Sequence, residues 1–524
     1  MHDLEQPPPR WYYSRLEAFL LFLLCLLLYL PTMHHGFVMD DRWLVTENPY
    51  IKSWRYIPNM LTQDAWNIWV QHNYWRPVFS LSLALDYSLW NLNPSGFHLT
   101  SVLLHAINAV LLYLLGTRLR SRSCGVLAAL LFALHPMQSH AVNVVAARGD
   151  LLATVFMLLS LHAFFSRRLL ALAVSLALAL LSKETSMVFP LALFFAGAAV
   201  ERRKWDMRCT VPLVLLALYL GARVALGFSF SVPASVFSYD LSWGARCLLS
   251  FKALALYVFA LGNIFEMPHP SWSVEIPASP ADPYVLGGVF ILGLLLGGIS
   301  ISWKKNPPFA FGLSWFLIYF LPISNLKELN QPMAEHWLYI PMIGLSLAFG
   351  AALSASFIRR LEIHLVRVAV TACVAVFLVF AALVVREKTK LYQDDESFLL
   401  AAIRANPRIA RLYSLLGSAY MEKREIPKAK ELYTKALTLD SDDLLANYML
   451  GFLLHQAGQQ DKAKVHLGRV ARVEPAIRAE FEPVAHAWEM LGNTQKALFY
   501  FRKALDVNPQ SVWIKEKIAN LEGQ

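Results

Sequence analysis

The sequence predicts an all-α protein in two parts, a polytopic membrane domain followed by an α-solenoid of helical repeats. Two observations carry this prediction. Of the 524 residues, 56% are hydrophobic and only 16% are charged. This composition has too few polar residues to cover the surface of a soluble protein. The C-terminal part is different, because similar residues recur in it at a fixed interval. The predicted domains are residues 1–390 and residues 391–524.

Apolar runs in the first domain predict eleven membrane crossings. They lie near residues 16–30, 98–117, 124–137, 150–166, 169–182, 185–200, 209–227, 284–301, 308–322, 337–357 and 364–385. The apolar stretch 245–262 is predicted to be re-entrant or interfacial, because another crossing would move the basic residues after 301 to the other side. The first run has no small-residue cleavage site, so it is not predicted to be a cleavable signal peptide.

Basic clusters predict the orientation of these crossings. Five clusters follow alternate crossings, at residues 118–122, 167–168, 202–204, 304–305 and 359–360. The positive-inside rule places all five in the cytoplasm. The loop at 31–97 and everything after residue 386 then face the periplasm or an organelle lumen. These clusters also explain the net charge of +10, so no nucleic-acid partner is predicted.

A 34-residue period in the second domain predicts about three tetratricopeptide repeats. Residues Asn406, Asp440, Glu474 and Asn508 are 34 apart (440−406, 474−440 and 508−474), and Pro407, Pro475 and Pro509 follow three of them. The pair Leu416-Gly417 recurs at Leu450-Gly451, and Gly458 recurs at Gly492. Small residues at such positions let the two helices of a repeat approach closely. The concave surface of such a solenoid commonly binds an extended peptide, although a stabilising cap is the alternative.

The first exported loop carries two adjacent carboxylates, Asp40 and Asp41, about three helical turns beyond the first apolar run. Charged residues at the end of a membrane span are candidates for function. The same loop contains Arg76, which begins an apolar segment at 76–87. We predict that this segment is an amphipathic helix at the interface, because a crossing there would invert every later loop.

Three further exported loops carry compact polar groups. They contribute His135, Arg148 and Asp150, then Lys183 and Glu184, and then Glu335, His336 and Tyr339. Each loop alone has a structural interpretation, such as an ion pair between Lys183 and Glu184 or a helix-end anchor at Arg148 and Asp150. Together these acids and bases lie at the exported ends of different spans, which suits a reaction on a lipid headgroup.

The same residues form an ordered series of motifs. The series is GFVMDD at 36–41, RP at 76–77, GFHLT at 96–100, HP at 135–136, RGDLL at 148–152, SKE at 182–184, EHWLYIP at 335–341, and then the repeats. It resembles the transmembrane, tetratricopeptide-containing O-mannosyltransferases, which are GT-C glycosyltransferases and relatives of the protein O-mannosyltransferases. One motif departs from the family, because His336 stands where the family has an arginine, which weakens the expectation that this position binds phosphate. The small number of repeats favours a bacterial member.

The resemblance implies transfer of a single sugar, with inversion, from a polyprenyl or dolichyl phosphate to a Ser or Thr hydroxyl of an exported protein. Asp40 and Asp41 would be the general base and its partner, in either order, because a hydroxyl needs a carboxylate to take its proton. Cations would offset the charge of the leaving phosphate. The expected donor-binding residues are Arg148, Lys183, His336 and Arg76, and the expected supporting residues are Asp150, Glu184, Glu335, Tyr339 and His135.

No cofactor is expected, since the sugar arrives on a lipid and the sequence has no Gly-rich phosphate loop. A metal is not favoured, and Asp40 and Asp41 would be its ligands if one bound. The expected partners are the lipid-linked donor, membrane lipids and an exported acceptor protein engaged by the repeats. The expected location is a bacterial inner membrane, with the endoplasmic reticulum as the alternative. The competing functions are a GT-C enzyme that glycosylates a lipid or transfers an oligosaccharide, and a membrane-anchored repeat scaffold.

Overall fold

The structure is a computed structural model. It describes residues 10–66, 73–201, 206–228, 241–263, 271–272, 274–327, 329, 331–354, 364–475, 480–507 and 511–523. The described residues are mostly helical, so the predicted all-α class is confirmed. Their one small sheet pairs strand β1 (Ser271–Trp272) with strand β2 (Met333–Ala334), antiparallel and two residues long.

Fifteen described α-helices form the membrane part. They are α1 Arg10–Tyr29, α2 Ile57–Thr62, α3 Pro77–Trp90, α4 Pro94–Leu119, α5 Arg122–Leu134, α6 Ser139–Asn143, α7 Arg148–Phe165, α8 Leu169–Ser182, α9 Phe189–Ala196, α10 Met207–Ala225, α11 Trp243–Gly262, α12 Pro283–Lys305, α13 Pro307–Phe320, α14 Pro341–Ala352 and α15 His364–Thr389. Each of the eleven predicted crossings coincides with a helix of this series.

The length and hydropathy of these helices make the chain a multi-pass membrane protein. Eight helical segments of the described residues are long and apolar enough to cross a membrane, or nine if the bent pair at 122–134 and 136–143 is one span. Three shorter apolar helices, which include α8 and α14, accompany them. The predicted count of eleven is not confirmed by these criteria. Helix α11 is one of the eight, so it is as suited to a crossing as to the interfacial position that the sequence predicted.

Glycine residues allow close contact between membrane helices in two helix pairs, α4 with α5 and α13 with α14. A Cβ atom on Gly116 of α4 would lie 2.8 Å from the Cα atom of Gly125 in α5. A Cβ atom on Gly312 of α13 would lie 2.5 Å from the carbonyl oxygen of Gly344 in α14. Membrane helices associate largely through such close packing, because lipid tails give little hydrophobic drive for helix association. These contacts fix the scaffold that carries the polar loops.

The polar loops lie at two opposite ends of the bundle. At the first end, which we call the Arg118 end, Arg118 donates a hydrogen bond of 2.7 Å to Ser166, and Arg120 donates one of 3.1 Å to Asn306. The predicted basic clusters at 118–122 and 167–168 therefore meet there, whereas those at 202–204 and 359–360 lie outside the described residues. At the second end, the Asp40 end, the amide of Gly36 donates to the carbonyl of Gln393 over 2.9 Å. The loop of Asp40 and the repeats thus share one side.

Helix α3 lacks the amphipathic character that the sequence predicted for residues 76–87, because apolar side chains lie on both of its faces. Its buried face contains Phe79, Leu83 and Asp86, while Leu89 and Trp90 are exposed. At 14 residues it is shorter than the roughly 20 that a crossing requires. The helix covers the Asp40 end of the bundle.

Eight helices follow the membrane part. They are α16 Asp395–Ala405, α17 Ala410–Glu422, α18 Ile426–Leu439, α19 Leu444–Gln456, α20 Gln460–Arg472, α21 Phe481–Met490, α22 Thr494–Val507 and α23 Val512–Glu522. As the 34-residue period predicts, the small residues lie where paired helices meet: a Cβ atom on Gly417 would lie 2.7 Å from the ring of Tyr433. Gly458 and Gly492 have φ angles of 73° and 79° at the ends of helices, a conformation that glycine tolerates best. The predicted repeat residues Asn508 and Pro509 lie outside the described residues.

Candidate active site

The segment of residues 33–42, which we call the Asp40 segment, follows the first membrane helix and is fixed from two sides. From α4, Ser95 donates a hydrogen bond of 2.5 Å to the carbonyl of Met33, and the Nε2 atom of His98 lies 3.1 Å from the carbonyl oxygen of Gly36. From the repeats, Asp395 accepts a hydrogen bond of 2.7 Å from the amide of Met39. These contacts place Asp40 and Asp41 in a defined position at the end of the bundle.

Asp41 is the buried member of the carboxylate pair. Its side chain is fully buried, and its two oxygens accept hydrogen bonds from the amides of Val38 at 3.3 Å and Ala146 at 2.7 Å. Burial raises the pKa of Asp41 to about 7, against the lowering effect of these amides, and the charge of Asp40 raises it further. Asp41 therefore connects the Asp40 segment to the loop before α7, which leaves little of its carboxylate for a substrate.

Asp40 is the open member of the pair. Its side chain is exposed, and among the described residues its carboxylate has no hydrogen-bond donor. Nearby protein atoms still reduce the hydration of this carboxylate. The reduced hydration, followed by the charge of Asp395, raises the pKa of Asp40 to about 6. A carboxylate that is free of partners and titrates near neutral pH suits a general base.

Arg76 and Glu184 form a two-pronged ion pair in the same part of the Asp40 end. The Nε and Nη2 atoms of Arg76 donate to the two carboxylate oxygens of Glu184, at 2.8 and 2.5 Å. The guanidinium also lies over the ring of Tyr74, 4.3 Å from its centroid. Burial raises the pKa of Tyr74 to about 12, and both Arg76 and Asp40 are close enough to affect it. Tyr74 thus lies within electrostatic range of both the base and the first cation.

Lys183 and Asp150 form a second ion pair, buried and 2.6 Å long. Residue Lys183 follows α8 in an extended conformation, so its side chain points toward the start of α7, where Asp150 lies in the first turn. Only one of the three ammonium protons of Lys183 is used by this contact. Lys183 and Arg76 therefore keep donors that their carboxylate partners do not occupy.

His336 lies close to both cations. Burial, the neighbouring ring of His140 and the charges of Lys183 and Arg76 lower the pKa of His336 well below its usual value. The two imidazole rings lie 4.8 Å apart. Within the part of the chain that the structure describes, the Nδ1 atom of His336 has no hydrogen-bond partner. At neutral pH this residue is a neutral hydrogen-bonding group, and the positive charge of the site comes from Lys183 and Arg76.

Arg148 lies in a different environment from the one the sequence analysis expected. Its guanidinium is fully buried, pairs with Asp86 of α3 at 2.7 Å and donates to the carbonyl of Phe97 at 2.8 Å. Asp150 is not its partner. These contacts tie α3 and α4 to α7, and they leave Arg148 enclosed rather than open to a ligand.

Three other predicted residues are also enclosed. Tyr339 contacts His105 at 2.9 Å inside the bundle, and the Nε2 atom of His135 lies 3.1 Å from the carbonyl oxygen of Leu261. Glu335 forms a fully buried ion pair with Lys388. The predicted set is therefore divided: the residues that meet at the Asp40 end are Asp40, Asp41, Arg76, Glu184, Lys183, Asp150 and His336.

Sequence reasoning missed Tyr74, Lys388 and Asp395. Lys388 resembles the other basic residues at span ends, so no sequence pattern distinguishes its buried contact with Glu335. Asp395 begins a helix of the repeats, where an acidic residue is ordinary. Its contact with the Asp40 segment bridges 356 residues and follows from the fold alone.

The described residues contain no group of three or more His, Cys, Asp or Glu side chains that is arranged to hold a metal ion. The expectation that no metal is required stays a prediction. The chemistry that the site itself can supply is proton removal by Asp40 and binding of an anion by Arg76 and Lys183, with His336 as a neutral hydrogen-bonding group.

Two protein families match parts of the sequence. Residues 76–226 match the family described as dolichyl-phosphate-mannose-protein mannosyltransferase. This matched range contains Arg76, Lys183 and Glu184. Residues 410–443 and 489–511 match the tetratricopeptide repeat, which confirms the predicted repeat type. The domain boundary at residues 390 and 391 stays a prediction.

Similar curated proteins are named protein O-mannosyl-transferases. Tmtc1 of Drosophila melanogaster is 37% identical over 43% of this chain and 27% of its own length. The F38B6.6 protein of Caenorhabditis elegans is 24% identical over 80% of this chain and 62% of its own, and mouse TMTC3 is 23% identical over 81% and 51%. The chain thus spans between a quarter and three fifths of the length of these relatives. The resemblance to this group of repeat-containing transferases is confirmed, whereas a bacterial origin stays a prediction.

Two solved structures of ArnT from Cupriavidus metallidurans, one bound to undecaprenyl phosphate and one in the apo state, are weakly similar. Each covers 87% of this chain at 15% identity, with TM-scores of 0.38 and 0.41, and the matches span 81% and 80% of those chains.

Proposed function

Because this chain resembles the repeat-containing protein O-mannosyltransferases over about four fifths of its length, we propose that it is a membrane glycosyltransferase. It transfers one sugar from a polyprenyl or dolichyl phosphate to a Ser or Thr hydroxyl of an exported protein. The observation that carries this proposal is a chain of electrostatic neighbours: the unpartnered carboxylate of Asp40 and the cation Arg76 both act on Tyr74, and Arg76 and Lys183 both act on His336. This arrangement provides a base and an anion site at one end of the bundle.

In the proposed reaction, Asp40 accepts the proton of the hydroxyl as its oxygen bonds to the anomeric carbon. The bond between that carbon and the lipid phosphate oxygen breaks at the same time, so the configuration inverts. The electron pair stays on the phosphate, where Arg76 and Lys183 offset the developing negative charge. Asp41 acts through Asp40 and holds the segment in place by its two amide contacts.

The remaining parts of the proposal concern location and partners. The Asp40 end faces the periplasm or lumen, because the basic residues at the Arg118 end favour the cytoplasm. The tetratricopeptide repeats lie at the Asp40 end, where they can present an extended acceptor to the site. A carboxylate base and two cations are sufficient for this transfer, so we propose no metal.

The test is sugar transfer by the full chain in membranes that contain polyprenyl-phosphate-linked sugars, measured as the intact mass of co-expressed exported proteins. We expect the wild type to add a hexose- or pentose-sized mass and Asp40→Asn to add none. The matched control is Glu387→Gln, which neutralises a carboxylate that is 61% exposed and paired only with Lys390 at the surface. Transfer by Asp40→Asn at the wild-type rate would refute the base. Labelling of lipids in place of proteins would favour a lipid acceptor.

A further inference from the structure

The Asp40 segment contacts the repeats at three points, spaced three residues apart, on either side of the base. The amide of Gly36 donates to the carbonyl of Gln393 over 2.9 Å, and the amide of Met39 donates to the carboxylate of Asp395 over 2.7 Å. Arg42 forms an ion pair with Glu422 at the end of α17. The start of α16, which precedes the matched repeats, and the end of α17, in the first matched repeat, therefore both hold the segment that presents Asp40.

The middle contact is next to a strained residue. Met39 has a φ of 49°, in the left-handed region that side chains other than glycine rarely adopt. Such a conformation persists only when the surrounding structure holds it, and it is common at functional sites. Asp395 accepts the hydrogen bond of this residue's own amide, so it holds the peptide unit between Val38 and Met39, one residue before Asp40.

Asp395 is not required to cap its helix. The N-cap of α16 is Asp394, whose carboxylate accepts a hydrogen bond of 2.7 Å from the amide of Ser397. The hydrogen bonds of the two adjacent acids are therefore separate, one within the C-terminal helices and one across to the Asp40 segment, which Asp394 reaches only through its electrostatic effect on His35. This separation supplies a matched pair of variants.

We infer that Asp395 is a positioning residue for Asp40, so that the repeats complete the catalytic site in addition to any role in acceptor capture. This inference rests on the proposed function, in which Asp40 is the base. It makes transfer depend on α16 even when a short acceptor needs no help from the helices that follow it.

The charge of Asp395 has a second effect on the base. After burial, it is the other cause that raises the pKa of Asp40. The other titratable groups that interact with Asp40 are Asp41 beside it and Tyr74 in the segment before α3. Asparagine at position 395 would keep an oxygen for the amide of Met39 and would remove only the charge.

The first test compares Asp395→Ala, Asp395→Asn and the control Asp394→Ala, each in the full chain and with a short peptide acceptor. We expect Asp395→Ala to lower kcat by about 10- to 100-fold, which is the effect of misplacing the base by on the order of 1 Å. The KM for the lipid-linked donor and the KM for the peptide acceptor should change little. Asp395→Asn should keep most of kcat and move the acidic limb of the pH–rate profile to lower pH. Equal losses in Asp394→Ala and Asp395→Ala, or an unmoved limb in Asp395→Asn, would refute the inference.

A second measurement does not depend on sugar transfer. Hydrogen exchange of the peptide that contains residues 36–42 should be faster in Asp395→Ala than in the wild type and in Asp394→Ala, because the amide of Met39 loses its acceptor. This result would support the structural contact even if the wild type transferred no sugar, in which case only the proposed function would fail. Unchanged exchange, with transfer intact, would refute the role of Asp395 and leave the proposed function standing.

Discussion

Arg76 and Glu184 meet through two parallel hydrogen bonds although 108 residues separate them in the sequence. The pair joins the segment before α3 to the turn after α8. It holds the guanidinium plane beside Tyr74 with the Nη1 atom of Arg76 left for a ligand. In the proposed site this geometry directs a fixed donor toward the lipid phosphate.

Arg76→Lys tests this geometry, since lysine keeps the charge but cannot form the two-pronged contact. We expect kcat/KM for the lipid-linked donor to fall by about 10- to 100-fold, because hydrogen bonds to charged groups contribute roughly 1.5–3 kcal/mol. The measurement is the initial rate over a series of donor concentrations. Arg55→Lys is the control, because Arg55 is an exposed arginine of the same loop whose side chain, among the described residues, contacts Tyr56. Similar rates for the two variants would contradict the assignment of Arg76 to the donor site.

Variants of two buried ion pairs, Lys183 with Asp150 and Arg148 with Asp86, can separate a cation that binds the donor from one that only stabilises the fold. Lys183→Met should destabilise the protein by about 3–5 kcal/mol, because it leaves Asp150 charged and unpaired. Adding Asp150→Leu should restore the melting temperature but not sugar transfer, since the phosphate would still lack the ammonium group. Recovery of transfer in this double variant would remove Lys183 from the proposed donor site.

The pair of Arg148 and Asp86 should behave differently. Arg148→Met alone should destabilise by a similar amount, about 3–5 kcal/mol, because it leaves Asp86 unpaired. The double variant with Asp86→Leu should recover both the melting temperature and most of the transfer rate, since no ligand reaches the enclosed guanidinium. A double variant that melts normally but transfers no sugar would restore the original expectation that Arg148 binds the donor.

The sequence predicted which residues are polar and where the loops lie, but not how the charges pair. Lys183 and Glu184 are neighbours, yet Lys183 is extended, with φ −158° and ψ 137°, so consecutive side chains point to opposite sides. Arg148 and Asp150 are two positions apart on α7, a spacing at which helical side chains do not face each other. Each of these residues therefore finds its partner on a different element.

The elements themselves were more predictable than the pairing. Apolar runs located the helices of the membrane part, although not how many of them cross, because a bilayer requires long apolar segments. A fixed period identified the repeats, because each repeat must pack on its neighbour. The status of α11 was not predictable, since its hydropathy fits both a crossing and an interfacial position. The contact between Asp395 and Met39 depends on how the C-terminal helices meet the bundle, and no local pattern encodes it.

The pH dependence of transfer tests the state of Asp40. The base must be deprotonated, and its pKa is raised to about 6, so kcat/KM should fall as the pH drops through about 6. An unperturbed aspartate would lose activity only near pH ~4. Asp41, with its pKa raised to about 7, titrates in the same window, so the observed midpoints belong to the pair. Initial rates between about pH 4 and 9 measure this profile, and Glu387→Gln should leave it unchanged. A midpoint near 4 would contradict a partly dehydrated base.

Two glycines of the repeats provide a matched test of helix packing. A Cβ atom on Gly417 would lie 2.7 Å from the ring of Tyr433, whereas one on Gly468, within α20, would meet open space. Gly417→Ala should therefore destabilise the first helix pair by about 1–3 kcal/mol, because overpacking forces the ring or the helix to move.

Gly468→Ala should instead stabilise its helix by about 0.5–1 kcal/mol, since alanine restricts the unfolded chain and meets nothing in the folded one. Hydrogen exchange of α17 and α20 in the full chain measures both effects. Because α17 carries Glu422, which pairs with Arg42 beside the base, Gly417→Ala should also slow sugar transfer, while Gly468→Ala should not. A loosened α17 with an unchanged transfer rate would show that Asp40 is held without the repeats.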